Sequence, residues 1–183
     1  MYSMAKEFEK PIVSYGRGIV VSGSYLTSLG TDSIIVHPFS EVGGVGAYID
    51  LEKPVPINAE NAEEIESISS GRLKTLWEDG ILDNTERAFL KSRVEEIENT
   101  FQNIVYDEAP IDRPDPKTIV ENISDSFYVF SEGGWFNGNE AHNLGLVNEI
   151  GNFENSVKIA SELANIDRDM AEIIELEPPQ PGT

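Results

Sequence analysis

The sequence predicts an α/β fold in which helices cover a parallel sheet. Two short apolar, β-branched runs, Pro11–Ser14 (PIVS) and Ser33–His37 (SIIVH), flank a stretch, Ile19–Leu29, that reads as a helix. Strand, helix, strand at this spacing is the grammar of parallel strands joined by crossover helices. A long amphipathic segment, Asn84–Val105, supplies covering helix. The length, 183 residues, suits one domain. A chain of this size buries roughly two-thirds of its unfolded surface, so a core forms without disulfides.

Each element has its own warrant. Ser3–Glu9 reads as helix, with Met4 and Phe8 four residues apart on one face. Pro11 bounds the first strand, and Tyr15–Gly18 is a turn. Small residues in Ser22-Gly23-Ser24 open the helix that runs to Leu29, and Gly30 is placed to terminate it. Pro38 ends the second strand. Val42–Gly46 is a glycine-rich loop leading into a third strand, Ala47–Leu51. In Asn84–Val105, Leu90, Val94, Ile97, Phe101 and Ile104 form one apolar stripe, which reads as core or subunit contact. Asp83 with Glu86 fits a capping box at its start. Ala109–Pro116 is an acidic, proline-rich loop, Lys117–Ile123 a short helix and Phe127–Phe130 a strand. Gly133–Gly138 turns into a helix over Glu140–Leu144, closed by Gly145. Glu154–Ala164 is an amphipathic helix with Val157, Ala160, Leu163 and Ala164 inward. The domain is expected over residues 1–165, with an acidic, proline-rich tail over 166–183.

Composition excludes several functions. Thirteen basic against 33 acidic residues give a net charge of −20, which argues against nucleic acid as a partner. There is no cysteine, hence no disulfide scaffold. No run of 18 apolar residues occurs, so no membrane-spanning segment is expected, and the start MYSMAKEFEK has no apolar region typical of a secretion signal. With two histidines, His37 and His142, and no ligand spacing such as H-E-x-x-H, no metal site and no cofactor is expected. The Gly43–Gly46 loop lacks the G-K-[ST] of a phosphate loop and serves close backbone approach instead.

Two polar residues stand where chemistry is possible. Ser22 follows an apolar run at a helix start, where it is either an ordinary cap or a hydroxyl placed among helix N–H groups that favour negative charge. A serine nucleophile needs a base. His37 lies at the end of the next strand, and Lys74 lies among Leu73, Leu76 and Trp77. An ordinary lysine is neutral in only about one molecule in 2,500 at pH 7. Burial that lowers its pKa by roughly 3 units, costing about 4 kcal/mol, makes it a base. Otherwise Lys74 is a surface lysine whose stem covers apolar neighbours.

The motifs resemble those of the signal peptide peptidase A (protease IV) family. Lys10-Pro11-Ile12-Val13-Ser14-Tyr15-Gly16 and Val21-Ser22-Gly23-Ser24-Tyr25-Leu26 look like its KPVVASMG and SGGYYIA segments. Thr31-Asp32-Ser33-Ile34-Ile35-Val36 follows as its AD-I strand, and Val42-Gly43-Gly44-Val45-Gly46 looks like TGSIGV. Ser70-Gly71-Arg72-Leu73-Lys74 is similar to its SGxxK segment. Gly133–Gly138, Ala141 and Leu144–Gly151 are similar to its late glycine-rich segment. The likeness runs in order over about residues 5–165.

That resemblance implies a Clp-protease/crotonase-like fold and a serine endopeptidase working through a Ser/Lys dyad. Ser22 matches the nucleophile and Lys74 the general base, with Gly23 as an oxyanion donor and Gly43 and Gly44 in the substrate-binding loop. Residual signal peptides or other apolar extended peptides are the implied substrates, and the implied assembly is a homo-oligomer. A membrane-associated, extracytoplasmic site follows for a signal peptide peptidase, and a cytoplasmic one for a phage-type capsid maturation protease of the same fold. The alternative from another class is a catalytically silent scaffold subunit. The chain departs from the pattern at Gly44, where the family carries a serine that orients the lysine, and at Thr75, where it carries Asp. The family's early strand and its Pro-Gly-Gly segment, the second oxyanion donor, have no counterpart before Ser3, so the chain reads as the C-terminal part of such a peptidase.

Overall fold

The computed structural model describes residues 1–51, 70, 73, 76, 81–110, 133–170 and 172–176. The chain divides into two compact units, residues 1–45 with 104–183, and residues 46–103.

The first unit is built on two small sheets. Its order is α1 (Tyr2–Lys6), β1 (Val13–Gly16), β2 (Ile19–Val21), α2 (Gly23–Ser28), β3 (Ser33–Val36) and β4 (Glu41–Gly43). After the intervening helix α3 (Asn84–Glu108) come β5 (Trp135–Asn137), α4 (Gly138–Asn143), β6 (Glu149–Ile150) and α5 (Phe153–Leu163), then a 3-10 turn at Arg168–Met170. One sheet has the order β1-β3-β6, all parallel, with Val13 beside Ser33 and Ile35 beside Glu149. The other has the order β2-β4-β5. Its β2–β4 pair is parallel and its β4–β5 pair antiparallel.

β3 is buried at every position, as expected of a central parallel strand covered on both faces. In the second sheet the row Val20, Val42 and Phe136 faces inward, and all three side chains are buried. The neighbouring rows, Ile19–Glu41–Asn137 and Val21–Gly43–Trp135, carry the more exposed residues. This is the two-residue alternation of a half-buried sheet. Tyr25 and Leu29 of the α2 region, Val45, Val105, Ala141, Leu146 and Val147 also belong to the core.

In the second unit, α3 begins with the expected capping box. Asp83 accepts from the Glu86 amide at 2.9 Å, and Glu86 accepts from the Asp83 amide at 3.0 Å. Ion pairs Lys91–Glu95 and Arg93–Glu96 lie on its exposed face.

Several sequence expectations change: Tyr15 and Gly16, expected in a turn, belong to β1, and Leu163, expected inward, is exposed. Ile19–Val21 does not open a helix. It is strand β2, because three β-branched residues pair with β4 and the helix starts only at Gly23. The third strand is not Ala47–Leu51 but Glu41–Gly43, earlier in the chain. Val42 fills the core there, whereas Tyr48 is exposed. The turn before α4 contains a strand, β5, paired to β4. The expected elements at Lys117–Ile123 and Phe127–Phe130 lie outside the described residues.

Candidate active site

Ser22 stands at the junction of β2 and α2. It occupies the cap position of the helix, yet its side chain makes no capping hydrogen bond. Its backbone has φ 55° and ψ −125°. A non-glycine residue held there is strained by about 1–3 kcal/mol and persists only where its surroundings fix it. A sharp strand-to-helix turn of this kind lifts a serine hydroxyl out of the sheet into solvent, and Ser22 is exposed. The ordinary-cap reading of Ser22 is therefore set aside by its own geometry.

Several contacts hold the turn. The Ser22 amide donates to the Gly43 carbonyl at 2.8 Å, and the Ser22 carbonyl accepts the first helical bond, from Leu26, at 2.9 Å. Ser24 Oγ donates back to the Val21 carbonyl at 2.7 Å, bracing the turn from the other side. Gly23, the first residue of α2, is exposed, with open space where a Cβ would point. At the first helical position its amide has no partner within the helix.

The glycine pair shapes the floor beside Ser22. Gly43 has φ +118° and Gly44 φ +61°. The Gly44 amide donates to the Gly134 carbonyl at 2.8 Å, tying this loop to the start of β5. A Cβ on Gly44 would lie 3.0 Å from Val21 Cβ and 3.3 Å from the Ser22 nitrogen. Close backbone approach, expected of this loop, is what Gly44 provides. The half-exposed Trp135 sits across Gly43 from Val21 in the same row of the sheet.

The structure thus brings Ser22, Gly23, Gly43 and Gly44 together within the first unit. Lys74 lies outside the described residues. His37 is not joined to Ser22 by a hydrogen bond. Its Nδ1 accepts from the Phe39 amide at 3.3 Å, and its ring packs against Phe39 with centroids 5.6 Å apart. Among the described residues, no group of three or more His, Asp or Glu side chains could hold a metal ion. No helix among them is long and apolar enough to cross a membrane.

Sequence reasoning missed Tyr25. Its ring is completely buried, its hydroxyl donates to the Leu146 carbonyl at 2.8 Å, and burial pushes the phenol well above its ordinary pKa. Its place one turn beyond Ser22 on the same helix was the available signal.

The family model for peptidase family S49 matches residues 4–167. The chain belongs to peptidase family S49. Its α/β architecture is the Clp-protease/crotonase-like fold of that family. "Putative protease MJ0651" of Methanocaldococcus jannaschii is 25% identical over 162 residues, covering 86% of this chain and 48% of its own length. "Serine protease SPPA, chloroplastic" of Arabidopsis thaliana is 22% identical over 160 residues, covering 86% of this chain and 22% of its own length. The chain thus spans about half of the first relative and about a fifth of the second.

Proposed function

We propose that the chain is the catalytic part of a serine peptidase in which Ser22 is the nucleophile and Lys74 the general base. The observation that carries this reading is the strained, exposed Ser22, at the position matching the nucleophile of family S49 and not used as a cap. Neutral Lys74 takes the hydroxyl proton as Ser22 Oγ attacks a peptide carbonyl. The Gly23 amide, beside the nucleophile, donates to the oxyanion that forms. Collapse of the tetrahedral intermediate expels the amine, which receives the proton from Lys74 and leaves Ser22 acylated. Lys74 then accepts a proton from water as the water attacks the ester, and returns it to Ser22 Oγ. An extended apolar peptide, such as a residual signal peptide, is the proposed substrate. The partly buried Val21 and the half-exposed Trp135 lie on either side of Gly43 in one row of the sheet, and they are the proposed apolar contacts for its side chains.

The test is a fluorophosphonate probe applied to the full-length protein, with the modified peptide identified by mass spectrometry. Labelling should occur on Ser22, vanish in Ser22→Ala and Lys74→Ala, and survive in His37→Ala. Turnover should fall about 10⁴- to 10⁶-fold on loss of the nucleophile. Labelling that depends on His37 and not Lys74 overturns the dyad. No labelling of the unaltered protein favours the silent-scaffold reading, consistent with a glycine at 44 where the family carries a serine.

A further inference from the structure

The helix that Ser22 precedes is six residues long, and Tyr25 and Ser28 are its buried residues. Of the hydroxyls in α2, Thr27 donates to the Gly23 carbonyl, Ser28 to that of Ser24, and Ser24 to that of the adjacent Val21. Among the described residues, the side-chain hydrogen bond that leaves α2 for a distant part of the chain is that of Tyr25, reaching the Leu146 carbonyl 121 positions away. The acceptor is fixed on both sides. The Leu146 amide donates to the Ala141 carbonyl at 2.8 Å, and the Asn148 amide donates to the Ile34 carbonyl of β3 at 2.9 Å. The Asn148 side chain in turn accepts from the Ile34 amide at 2.7 Å. Tyr25 thereby ties α2 to a segment locked onto the central strand of the other sheet.

We propose that Tyr25 is a positioning residue for the Ser22 reaction: its buried hydroxyl, held by Leu146, fixes the rotation and depth of α2 and so keeps Ser22 in its strained, outward conformation. This rests on Ser22 being the nucleophile. A backbone at φ 55° relaxes unless its neighbourhood leaves it no alternative. The Gly43 carbonyl restrains the strand side of Ser22, and Tyr25, one turn on, restrains the helix side. Phenylalanine at 25 keeps the ring in its pocket but leaves the Leu146 carbonyl without its donor, so α2 can shift by a fraction of an ångström. Misplacement of a reacting atom by about 1 Å costs on the order of 100-fold in rate.

The test uses the full-length protein and a fluorogenic peptide that it cleaves, with fluorophosphonate labelling rates measured in parallel. Tyr25→Phe should lower kcat and the labelling rate by about 10- to 100-fold while KM stays within about twofold. Ile35→Val, a core change in the other sheet, serves as the stability control, compared after matching the two variants for distance below their Tm. It should leave the labelling rate within about threefold. If Tyr25→Phe labels as fast as the unaltered protein, or loses no more rate than the control, positioning is overturned while the peptidase reading stands. If KM rises and kcat holds, Tyr25 acts in substrate binding and the proposal is wrong. If the unaltered protein does not label at all, the peptidase reading fails, and the positioning role falls with it.

Discussion

Gly44 is where the resemblance and the structure point in opposite directions. Family members carry a serine at the matching position, so the resemblance alone implies that Gly44→Ser improves the site by adding a hydroxyl that orients Lys74. The backbone says otherwise. At φ +61° a residue with a side chain is disfavoured by about 1–2 kcal/mol. The new Cβ would also lie 3.0 Å from Val21 Cβ and 3.3 Å from the Ser22 nitrogen. Val21 Cβ is not a flexible tip, so strand β2 must move, at a cost of about 1–3 kcal/mol. Together these give about 3 kcal/mol, which at this chain length lowers Tm by about 6–12 °C. The displaced atoms include the Ser22 amide, whose 2.8 Å bond to Gly43 restrains the strained turn. Gly44→Ala and Gly44→Ser should therefore both melt earlier, by scanning calorimetry, and both label with fluorophosphonate at least about tenfold more slowly. A Gly44→Ser protein with an unchanged Tm and faster labelling would refute this reasoning and favour the orienting hydroxyl.

Gly138 offers a purely structural counterpart. A Cβ there would lie 2.3 Å from the His37 carbonyl oxygen and 3.1 Å from Pro38 atoms, all backbone, so Gly138→Ala should lower stability by several kcal/mol, on the order of 3 or more, read as soluble yield and Tm. At the other end of the first unit, Glu108 accepts from Tyr2 Oη at 2.8 Å and pairs with Lys6. The Lys6 hydrogen bond, with help from that of Tyr2 and against the effect of burial, holds the Glu108 carboxyl below its ordinary value of 4.5. A depressed carboxyl adds stability that is present above the unfolded value and lost as pH falls through the folded one. The Tm gap between the unaltered protein and Glu108→Gln should therefore be steady near neutrality and close in acid. Its size stays below about 1 kcal/mol because Lys6 is half exposed, and a gap unchanged at about pH 3 contradicts the assignment. On the alkaline side, burial, the hydrogen bond to Glu108 and the charge of Glu108 push the Tyr2 phenol up to about 12, so its contribution holds below pH 10 and fades above it.

How much of this was legible in the sequence depended on whether the signal was local. SIIV predicted a buried strand because a fully covered parallel strand needs no alternation, and β3 is buried throughout. Asp83 and Glu86 predicted their reciprocal bonds because a capping box spans four residues. Ile19–Val21 and Glu41–Gly43 were misread because three-residue strands carry no period of their own. Each is a strand because the other lies beside it, and pairing across twenty residues leaves no mark in either run. Gly43 reads as a loop for the same reason, whereas Gly44, just past the end of β4, is loop as expected. The sequence announced close backbone approach there, and only the fold names Val21 and Ser22 as what is approached.

Ser22 illustrates the remaining step from fold to chemistry. An S-G pair at a helix start is more often a cap, yet it fits a nucleophile too, since both need a hydroxyl beside helix amides. What separates them is where the hydroxyl is spent. A cap lowers the energy of its helix by accepting a hydrogen bond from a helix amide at its side-chain oxygen, whereas here the backbone is held at φ 55° and the hydroxyl makes no such bond. Folding does not reward such an arrangement locally, so it must be imposed from elsewhere: by the Gly43 carbonyl, by a Gly44 that leaves room for the turn, and by the Tyr25 bond to Leu146. Those restraints come from β4 and from the segment before β6, elements that the sequence places far apart. They converge on one residue that gains no capping bond from them, and strain maintained in this way is what the proposal of Ser22 as nucleophile rests on.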